Sequence, residues 1–348
     1  MARLGRDPLR VKTTPPKSHA SENGRGISAT LRNLLGLRAM TPSAPLPDAA
    51  PTNWVDRFAP ARLRPWLKLG RFDRPAGIWL LMLPGWQGIA LAGAMQGRLP
   101  DPVLLLLFFL GAALMRAAGC AYNDIVDRDL DAKVARTAAR PVASGQIRVR
   151  HAWAFVVACS LAALLILLML PPLCWLLGVL SLALVAAYPF MKRITWWPQA
   201  WLGLTFNWGA LMGFAALAGD LSGGAILLYI SGVFWTLGYD TIYALQDLED
   251  DALAGVKSSA RKLGSKAPLA VSGFYGATAL LAAATGVLAG LGLLFWFGLA
   301  AFAAHLAWQA RCTRIDDPAL ALKLFKSNVR TGAILFVAIV AGVLPVAV

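Results

Sequence analysis

The sequence predicts an all-α, polytopic membrane protein with nine transmembrane helices in one bundle around a central cavity. Apolar residues make up 58% of the 348 residues, the mean hydropathy is +0.60, and charged residues are only 15%, against about 25% in soluble proteins. Nine apolar runs each approach the roughly 20 residues that cross a bilayer as a helix. Two acidic clusters follow apolar runs, and such charges need a polar cavity.

The nine apolar runs are separated by loops of very different charge. We expect spans at 75–95, 102–122, 152–170, 173–190, 199–218, 223–245, 268–288, 291–310 and 331–348. Before the first span, Trp66, Leu67 and Leu69 are spaced for a short helix at the membrane surface. An acidic motif recurs after the second and the sixth span, which suggests two related halves of the bundle.

The N-terminal region differs in composition from the rest of the chain. Residues 1–55 are rich in Arg, Lys, Ser and Pro and contain no sustained apolar run, which is not the pattern of a secretory signal. They are predicted to be a disordered basic extension, and the alternative is an organelle transit segment. Residues 56–348 are predicted to form the helical domain.

The formal net charge of +15 is distributed as a topology signal. Lys and Arg are frequent in the loops after spans two, four, six and eight, and nearly absent from the other loops. Because positive loops stay on the cytoplasmic side or its equivalent, the N-terminus and both acidic clusters are predicted to lie on that side. The basic charge therefore indicates contact with anionic lipid, and nucleic-acid binding is not expected.

The first acidic cluster, residues 123–131, contains four carboxylates and one carboxamide. On a continuous helix Asn123, Asp127 and Asp131 share one face, Asp124 lies beside them, and Asp129 points elsewhere. Carboxylates on one face repel each other unless a cation lies between them. Oxygen ligands favour Mg²⁺, and the scattered cysteines and histidines form no metal motif. The alternative is a solvated acidic turn.

The second acidic cluster decides against the solvated turn. Asp240, Tyr243, Asp247 and Asp251 are spaced along one helical face near the end of the sixth span. Asp240 and Tyr243 lie deepest, where a carboxylate costs about 2.5–3.5 kcal/mol in a bilayer. Two carboxylate stripes on one side of a bundle predict a site for about two divalent ions.

Mg²⁺ shares its ligand shell readily with phosphate oxygens, so a diphosphate is the expected ligand. Basic residues near the clusters are candidates for binding its outer oxygens; they are Lys133, Arg136, Arg140 and Lys257. An apolar cavity suits a diphosphate with a long hydrocarbon tail. Loss of the diphosphate would leave an allylic cation, which aromatic faces can stabilise until an electron-rich acceptor attacks.

These motifs resemble the UbiA superfamily of intramembrane prenyltransferases, and within it the branch that acts on 4-hydroxybenzoate. Asn123-Asp124-x-x-Asp127-x-x-x-Asp131 matches the first aspartate motif of the family, and Asp247-x-x-x-Asp251 matches the second. Further resembling stretches are 71–77, 133–145, 188–193 and 255–258. The pair Phe325 and Asn328 also resembles the family and is given no role. The resemblance covers roughly residues 60–348.

The resemblance implies Mg²⁺-dependent transfer of a polyprenyl group from polyprenyl diphosphate to 4-hydroxybenzoate, ortho to the hydroxyl, in ubiquinone biosynthesis. It implies that the residues of both aspartate motifs bind Mg²⁺ and the diphosphate; they are Asn123, Asp124, Asp127, Asp131, Asp247 and Asp251. Of these, the predicted catalytic residues are Asp127, Asp131, Asp247 and Asp251. The expected location is a bacterial inner membrane or, alternatively, a mitochondrial one. No required protein partner is evident.

The resemblance further implies that Arg193 pairs with the benzoate carboxylate, for which a planar guanidinium is well suited. The alternative is that Lys192 and Arg193 only anchor the helix end at the membrane surface. Asp240 and Tyr243 are candidates to position or deprotonate the phenol, or they are buried packing residues. Arg74 is expected to have a structural role with Asp73.

Other functions remain as alternatives. Relatives within the superfamily differ in acceptor, which can be haem, homogentisate, dihydroxynaphthoate or chlorophyllide. An ion-coupled transporter would also place Asp residues in the membrane, but its sites are expected at the midplane and not at one face. A non-catalytic scaffold does not explain the cost of the clustered charge.

Overall fold

A computed structural model of the protein describes residues 53–133, 137–253 and 255–343, with only the backbone of Asp250. Within these ranges every regular element is a helix, which confirms the all-α prediction. Residues 1–52, most of the predicted 1–55 extension, lie outside the described residues. Its interpretation and the boundary at residue 56 therefore stay predictions.

Nine long helices and several short ones make up the described chain. Two short helices come first, α1 (Trp54–Phe58) and α2 (Arg64–Leu69). The long helices and the short segments between them are α3 (Ala76–Met95), α4 (Pro102–Val126), the short α5 (Arg128–Asp131), α6 (Val149–Leu168), α7 (Pro172–Ile194), α8 (Pro198–Ala218), α9 (Gly223–Ala244), a 3₁₀ turn (Leu245–Asp247), the short α10 (Leu248–Leu253) and α11 (Ser259–Leu263), α12 (Ala267–Leu288), α13 (Leu293–Cys312) and α14 (Pro318–Ala341).

Among the described residues, nine helices are long and apolar enough to cross a membrane, as predicted. Eight begin and end close to the expected positions. The ninth was predicted at 331–348 and instead runs over Pro318–Ala341, while 344–348 lie outside the described residues. The predicted start was wrong because the span was placed after the last charged residue, Arg330. Lys323, Lys326 and Arg330 lie on the exposed face of α14, and the opposite face is buried.

Close helix packing at the centre of the bundle depends on small residues. A Cβ on Gly88 of α3 would lie 2.1 Å from the carbonyl oxygen of Ala210 on α8, and one on Gly213 would lie 2.1 Å from that of Gly85. Glycine at these positions lets the two backbones approach, as is usual in membrane bundles. α6 lies at the periphery, where most of its large apolar side chains are exposed, as expected for a helix that contacts lipid.

The short helices before the first span position the segment that leads into the site. The predicted surface helix is present as α2, although Leu69 is fully buried. An ion pair of 2.8 Å between Lys68 Nζ and Asp56 Oδ1 connects α2 to α1. Immediately after α2, Arg71 adopts a positive φ of 61°, which is uncommon for a residue other than glycine. This turn directs the chain back towards the first acidic cluster.

Candidate active site

The first acidic cluster lies where the second span ends. α4 stops at Val126, Asp127 has φ −96° and ψ 4°, and α5 then begins at Arg128. The expected continuous helix is therefore interrupted at Asp127. Asp127 and Asp131 nonetheless remain one helical turn apart, because the Asp131 backbone N–H donates to the Asp127 carbonyl oxygen at 2.8 Å. Asp129 points away from the site, as predicted; its side chain is 82% exposed and pairs with Arg128.

Each buried aspartate of this cluster pairs with a basic side chain. Asp124 Oδ1 accepts a hydrogen bond from Arg71 Nη2 at 2.6 Å. Asp131 Oδ2 accepts one from Arg140 Nη1 at 2.7 Å. Asp127 pairs with the two basic residues at the end of α7, Lys192 and Arg193, the latter at 3.1 Å. The repulsion that the sequence predicts is thus relieved by arginine and lysine.

Burial strengthens the electrostatic coupling of these pairs. Burial alone would lower the pKa of Arg71, but the adjacent Asp124 carboxylate outweighs it and raises the pKa above its usual range. Burial raises the pKa of the Asp131 carboxyl, although the charge of Arg140 acts in the opposite direction. A charged group that replaces one of these basic partners must therefore also compensate for the cost of keeping the aspartate carboxylate buried away from water.

The second cluster faces the first across a polar pocket of about 230 Å³. α9 ends at Ala244 and is followed by the 3₁₀ turn and α10, so the expected single helix is interrupted once. The pocket is lined by members of both clusters and by basic residues between them: Asn123, Asp131, Arg140, Lys192, Asp240, Tyr243, Asp247, Asp251 and Lys257. Both clusters therefore lie at one end of the bundle, as the loop charges predict.

A larger, mainly apolar cavity of about 720 Å³ adjoins this pocket. Residues of α6 and α7 line its outer side, including Leu161, Leu164 and Leu182. Asn123, Arg140, Tyr188, Pro189, Asp240 and Tyr243 line both the cavity and the pocket. A ligand with a charged head and an apolar tail would place its head in the pocket and its tail in the cavity.

The predicted basic residues differ in where the structure places them. Arg140 and Lys257 line the polar pocket, and Lys257 Nζ donates to the carbonyl oxygen of Ile194 at 3.1 Å. Lys133 is exposed, and Arg136 lies outside the described residues. Arg193 is half exposed and is held by Asp127. Arg74 lies 3.4 Å from Asp73, in agreement with the expected structural pairing.

Three basic residues at this site had no predicted role there. Arg71 and Lys192 pair with Asp124 and Asp127, and neither pairing is visible in local spacing. Arg116 of α4 lines the large cavity, and its guanidinium carbon lies 5.2 Å from the ring centroid of Phe206. Its buried Nε has no hydrogen-bond partner among the described residues. An arginine inside an apolar span was itself a signal of function.

The donor atoms at the polar pocket suit a hard divalent cation. They are carboxylate and carboxamide oxygens, which Mg²⁺ prefers. Asp124 and Asp127 are fully buried behind this lining and do not form part of it. Oδ2 of Asp124 has no hydrogen-bond partner among the described residues, so it retains the capacity to bind a cation. No group of three or more acidic, histidine or cysteine side chains is close enough to hold a metal in the described part of the chain. The carboxylates of Asp124, Asp127 and Asp131 are paired with basic side chains instead, and binding a metal would require them to exchange these partners.

Comparison with known proteins identifies the family. The model of the UbiA prenyltransferase family matches residues 81–341. The chain belongs to this family. It is 47% identical over 289 residues to the mitochondrial 4-hydroxybenzoate polyprenyltransferase of Bos taurus, covering 83% of this chain and 78% of that one. It is 44% identical over 336 residues to the Rattus norvegicus enzyme of the same name, covering 96% and 86%.

Solved structures of UbiA homologues share the fold. The apo homologue from Aeropyrum pernix K1 has a TM-score of 0.65 and 28% identity, covering 76% of this chain and 98% of that one. A homologue from Archaeoglobus fulgidus bound to GPP and Mg²⁺ has a TM-score of 0.58 and 18% identity, covering 80% and 99%. The predictions of a UbiA-type membrane fold and of a prenyltransferase enzyme are therefore confirmed. The transporter and scaffold alternatives are not supported.

Proposed function

We propose that this protein transfers a polyprenyl group from polyprenyl diphosphate to the ring of 4-hydroxybenzoate, ortho to the hydroxyl, in a Mg²⁺-dependent reaction. The observation that carries the proposal is the junction of a polar pocket, lined by both aspartate motifs, with an apolar cavity. The relatives named 4-hydroxybenzoate polyprenyltransferase support this acceptor over the others.

The charged residues of the pocket have complementary roles in this proposal. Asn123, Asp124, Asp127, Asp131, Asp247 and Asp251 would hold Mg²⁺, which when bound neutralises the departing diphosphate. Arg140 and Lys257 lie in the pocket wall and would bind outer phosphate oxygens. Lys133 and Arg136, which the sequence predicts for phosphate binding, are proposed for the same role. The apolar cavity excludes water from the donor's tail and from its reactive carbon.

Asp240 and Tyr243 lie where the pocket and the cavity meet, on the last turns of α9. We propose that they position the phenol of the acceptor and that Asp240 accepts a proton from it. Their place beside the reactive end of the donor supports this role over simple packing. The attacking ring carbon would then lie next to the carbon that loses the diphosphate.

The protein is proposed to act in an inner membrane, bacterial or mitochondrial, with the N-terminus and the site on the cytoplasmic or matrix side. The basic loops after even-numbered spans support this orientation. The relatives named above are mitochondrial proteins by name, which supports the mitochondrial alternative for this protein. Fusion of a reporter enzyme to the loop at 195–197 would test the orientation.

The first test is an acceptor panel. Purified protein in liposomes is given geranyl diphosphate, Mg²⁺ and one acceptor at a time, and products are identified by mass spectrometry. We expect a geranyl adduct with 4-hydroxybenzoate and little with homogentisate or dihydroxynaphthoate. A strong preference for another acceptor would contradict the proposed substrate, while leaving the prenyltransferase reaction in place.

The carboxylate of the acceptor has two candidate partners. The sequence prediction is Arg193, which pairs with Asp127 next to the pocket-lining Lys192. The structure adds Arg116, which lines the large cavity and whose buried Nε has no hydrogen-bond partner among the described residues. A charged hydrogen bond of this kind contributes enough to change affinity about 10- to 100-fold. We propose Arg193 as the partner and compare the two by substitution.

Arg193→Gln is expected to raise the KM for 4-hydroxybenzoate about 10- to 100-fold and to change the KM for geranyl diphosphate much less. The uncharged 4-hydroxybenzamide should lose little in the variant, since it has no carboxylate to pair. Arg116→Gln is the matched comparison. If the preference for acid over amide disappears in Arg116→Gln and persists in Arg193→Gln, the carboxylate partner is Arg116 and the assignment of Arg193 is wrong.

A further inference from the structure

The reactive carbon of the donor must lie where the polar pocket joins the apolar cavity. The diphosphate belongs with the aspartates in the pocket, and the hydrocarbon tail belongs in the cavity. The residues that line both spaces include two aromatic side chains, Tyr188 and Tyr243. Aromatic groups at this junction are therefore the ones that can face a cation formed at the first carbon of the prenyl chain.

Phe325 of α14 completes an aromatic surface at this junction. Its ring centroid lies 4.6 Å from that of Tyr243 and 5.8 Å from that of Tyr239. All three rings line the large cavity. Phe325 is only half-buried and lines the cavity, so part of its ring surface faces the cavity. It has no polar atom, so its contribution there is apolar contact or its π-face.

A buried amide pair fixes the turn of α14 that carries Phe325. Asn328 Nδ2 donates to Gln309 Oε1 at 2.8 Å and to the Leu324 carbonyl oxygen at 3.0 Å. Asn328 Oδ1 accepts from Trp235 Nε1 at 2.8 Å. Asn328 and Gln309 are fully buried, and together they connect α14 to α13 and α9. Such a network, satisfied inside an apolar bundle, holds the ring in one position.

We propose that Phe325, supported by Tyr243, is a catalytic residue that stabilises the allylic cation, and that Asn328 and Gln309 are positioning residues for it. This inference rests on the proposed function. The C–O bond of the donor breaks and its electron pair leaves with the diphosphate, so the prenyl group carries the positive charge. The new C–C bond forms from the acceptor ring, and the ring proton passes to a site carboxylate or to the diphosphate.

A cation at a ring face within about 6 Å gains enough to change a rate about 10- to 30-fold when water is excluded. Phe325→Leu keeps an apolar side chain and removes the π-face. We expect kcat with geranyl diphosphate and 4-hydroxybenzoate to fall about 10- to 30-fold, with the donor KM changed less than about twofold. Phe325→Tyr and Phe325→Trp, which restore an aromatic face, should recover most of the rate.

Phe336→Leu is the matched control. Phe336 lies on the same helix and packs against Trp86, its ring centroid 5.4 Å away. Eleven residues separate it from Phe325, so it lies on nearly the same face but about 16 Å further along the helix. We expect normal turnover in this variant. An equal loss in both variants would mean that any aromatic removal from α14 disturbs the fold, and would overturn the inference.

Fluorinated phenylalanines at position 325 test the π-face with almost no change of shape. Each added fluorine weakens the negative face of the ring, so log kcat should fall stepwise with fluorine number. A flat series would overturn the inference even if Phe325→Leu is unstable. A failure of the proposed function would give a different result, because the unsubstituted protein itself would then not prenylate 4-hydroxybenzoate.

The positioning role of the amide pair has its own readout. Gln309→Leu leaves Asn328 Nδ2 without its partner Oε1 and should lower kcat while leaving the donor KM nearly unchanged. Gln309→Glu, which keeps an acceptor oxygen, should recover part of kcat. If both variants unfold at the same lower temperature and have the same normal kcat, the pair is structural only, and that part of the inference is wrong.

Discussion

Asp127→Asn and Asp251→Asn are each expected to lower kcat on the order of 100- to 1,000-fold. Asp127 is fully buried in the first motif, and Asp251 lines the polar pocket from the second. Each substitution removes a full negative charge and keeps the shape of the side chain. The measurement is the steady-state rate of formation of geranylated 4-hydroxybenzoate in liposomes, with both substrates and Mg²⁺ saturating.

The chain offers close controls for both substitutions. Asp129→Asn alters the first motif at a side chain that is 82% exposed and pairs with Arg128. Glu249→Gln alters an exposed residue of α10, two positions before Asp251. Both controls should keep near-normal turnover, and all four variants should insert and unfold at similar temperatures. Normal turnover in Asp127→Asn or Asp251→Asn would remove that residue from the site.

Removal of divalent ions should abolish prenyl transfer, and added Mg²⁺ should restore it. The physical reason is the charge of the donor's diphosphate, which cannot enter a pocket rich in carboxylates without a counter-cation. EDTA-treated protein in liposomes is assayed, then titrated with Mg²⁺. The same assay without chelator gives the reference rate. Activity that is unchanged by EDTA would contradict the dependence on magnesium.

The ion pairs in the structure predict a second property of this dependence. Asp124, Asp127 and Asp131 are paired with Arg71, Lys192 and Arg140, the same types of group that bind phosphate. A metal that takes these carboxylates frees the basic side chains, and a diphosphate can then accept them. Binding of geranyl thiolodiphosphate and of Mg²⁺, measured by calorimetry, should therefore each be much weaker alone than together. Equal Mg²⁺ affinity with and without the diphosphate analogue would contradict this exchange.

Nine spans could be predicted from the sequence because hydropathy is a local property. Most observed helices begin and end close to the predicted positions. The ninth helix is the exception, since Lys323 and Lys326 interrupt the apolar run although they lie on one exposed face of Pro318–Ala341. A hydropathy window averages around the helix and cannot distinguish a charged face from a charged loop.

The members of the site could be predicted in part. Spacing and loop charge placed both aspartate motifs at one end of the bundle, where they do line a common pocket. The helix interruptions at Asp127 and at Leu245 could not be predicted, because an uninterrupted helix fits the same spacing equally well. Arg116 was overlooked, although an arginine within a span carries a high cost and therefore deserved a role.

The sequence by itself determined the membrane fold, the number of spans, and a paired set of acidic motifs that suits a diphosphate and Mg²⁺. Only the tertiary structure decided which cation pairs with which carboxylate and which aromatic rings line the junction of the pocket and the cavity. Arg71 meets Asp124 across 53 positions, and Lys192 meets Asp127 across 65. Periodicity reports which residues share a face of one helix, whereas these contacts join different elements and exist only once the helices have packed.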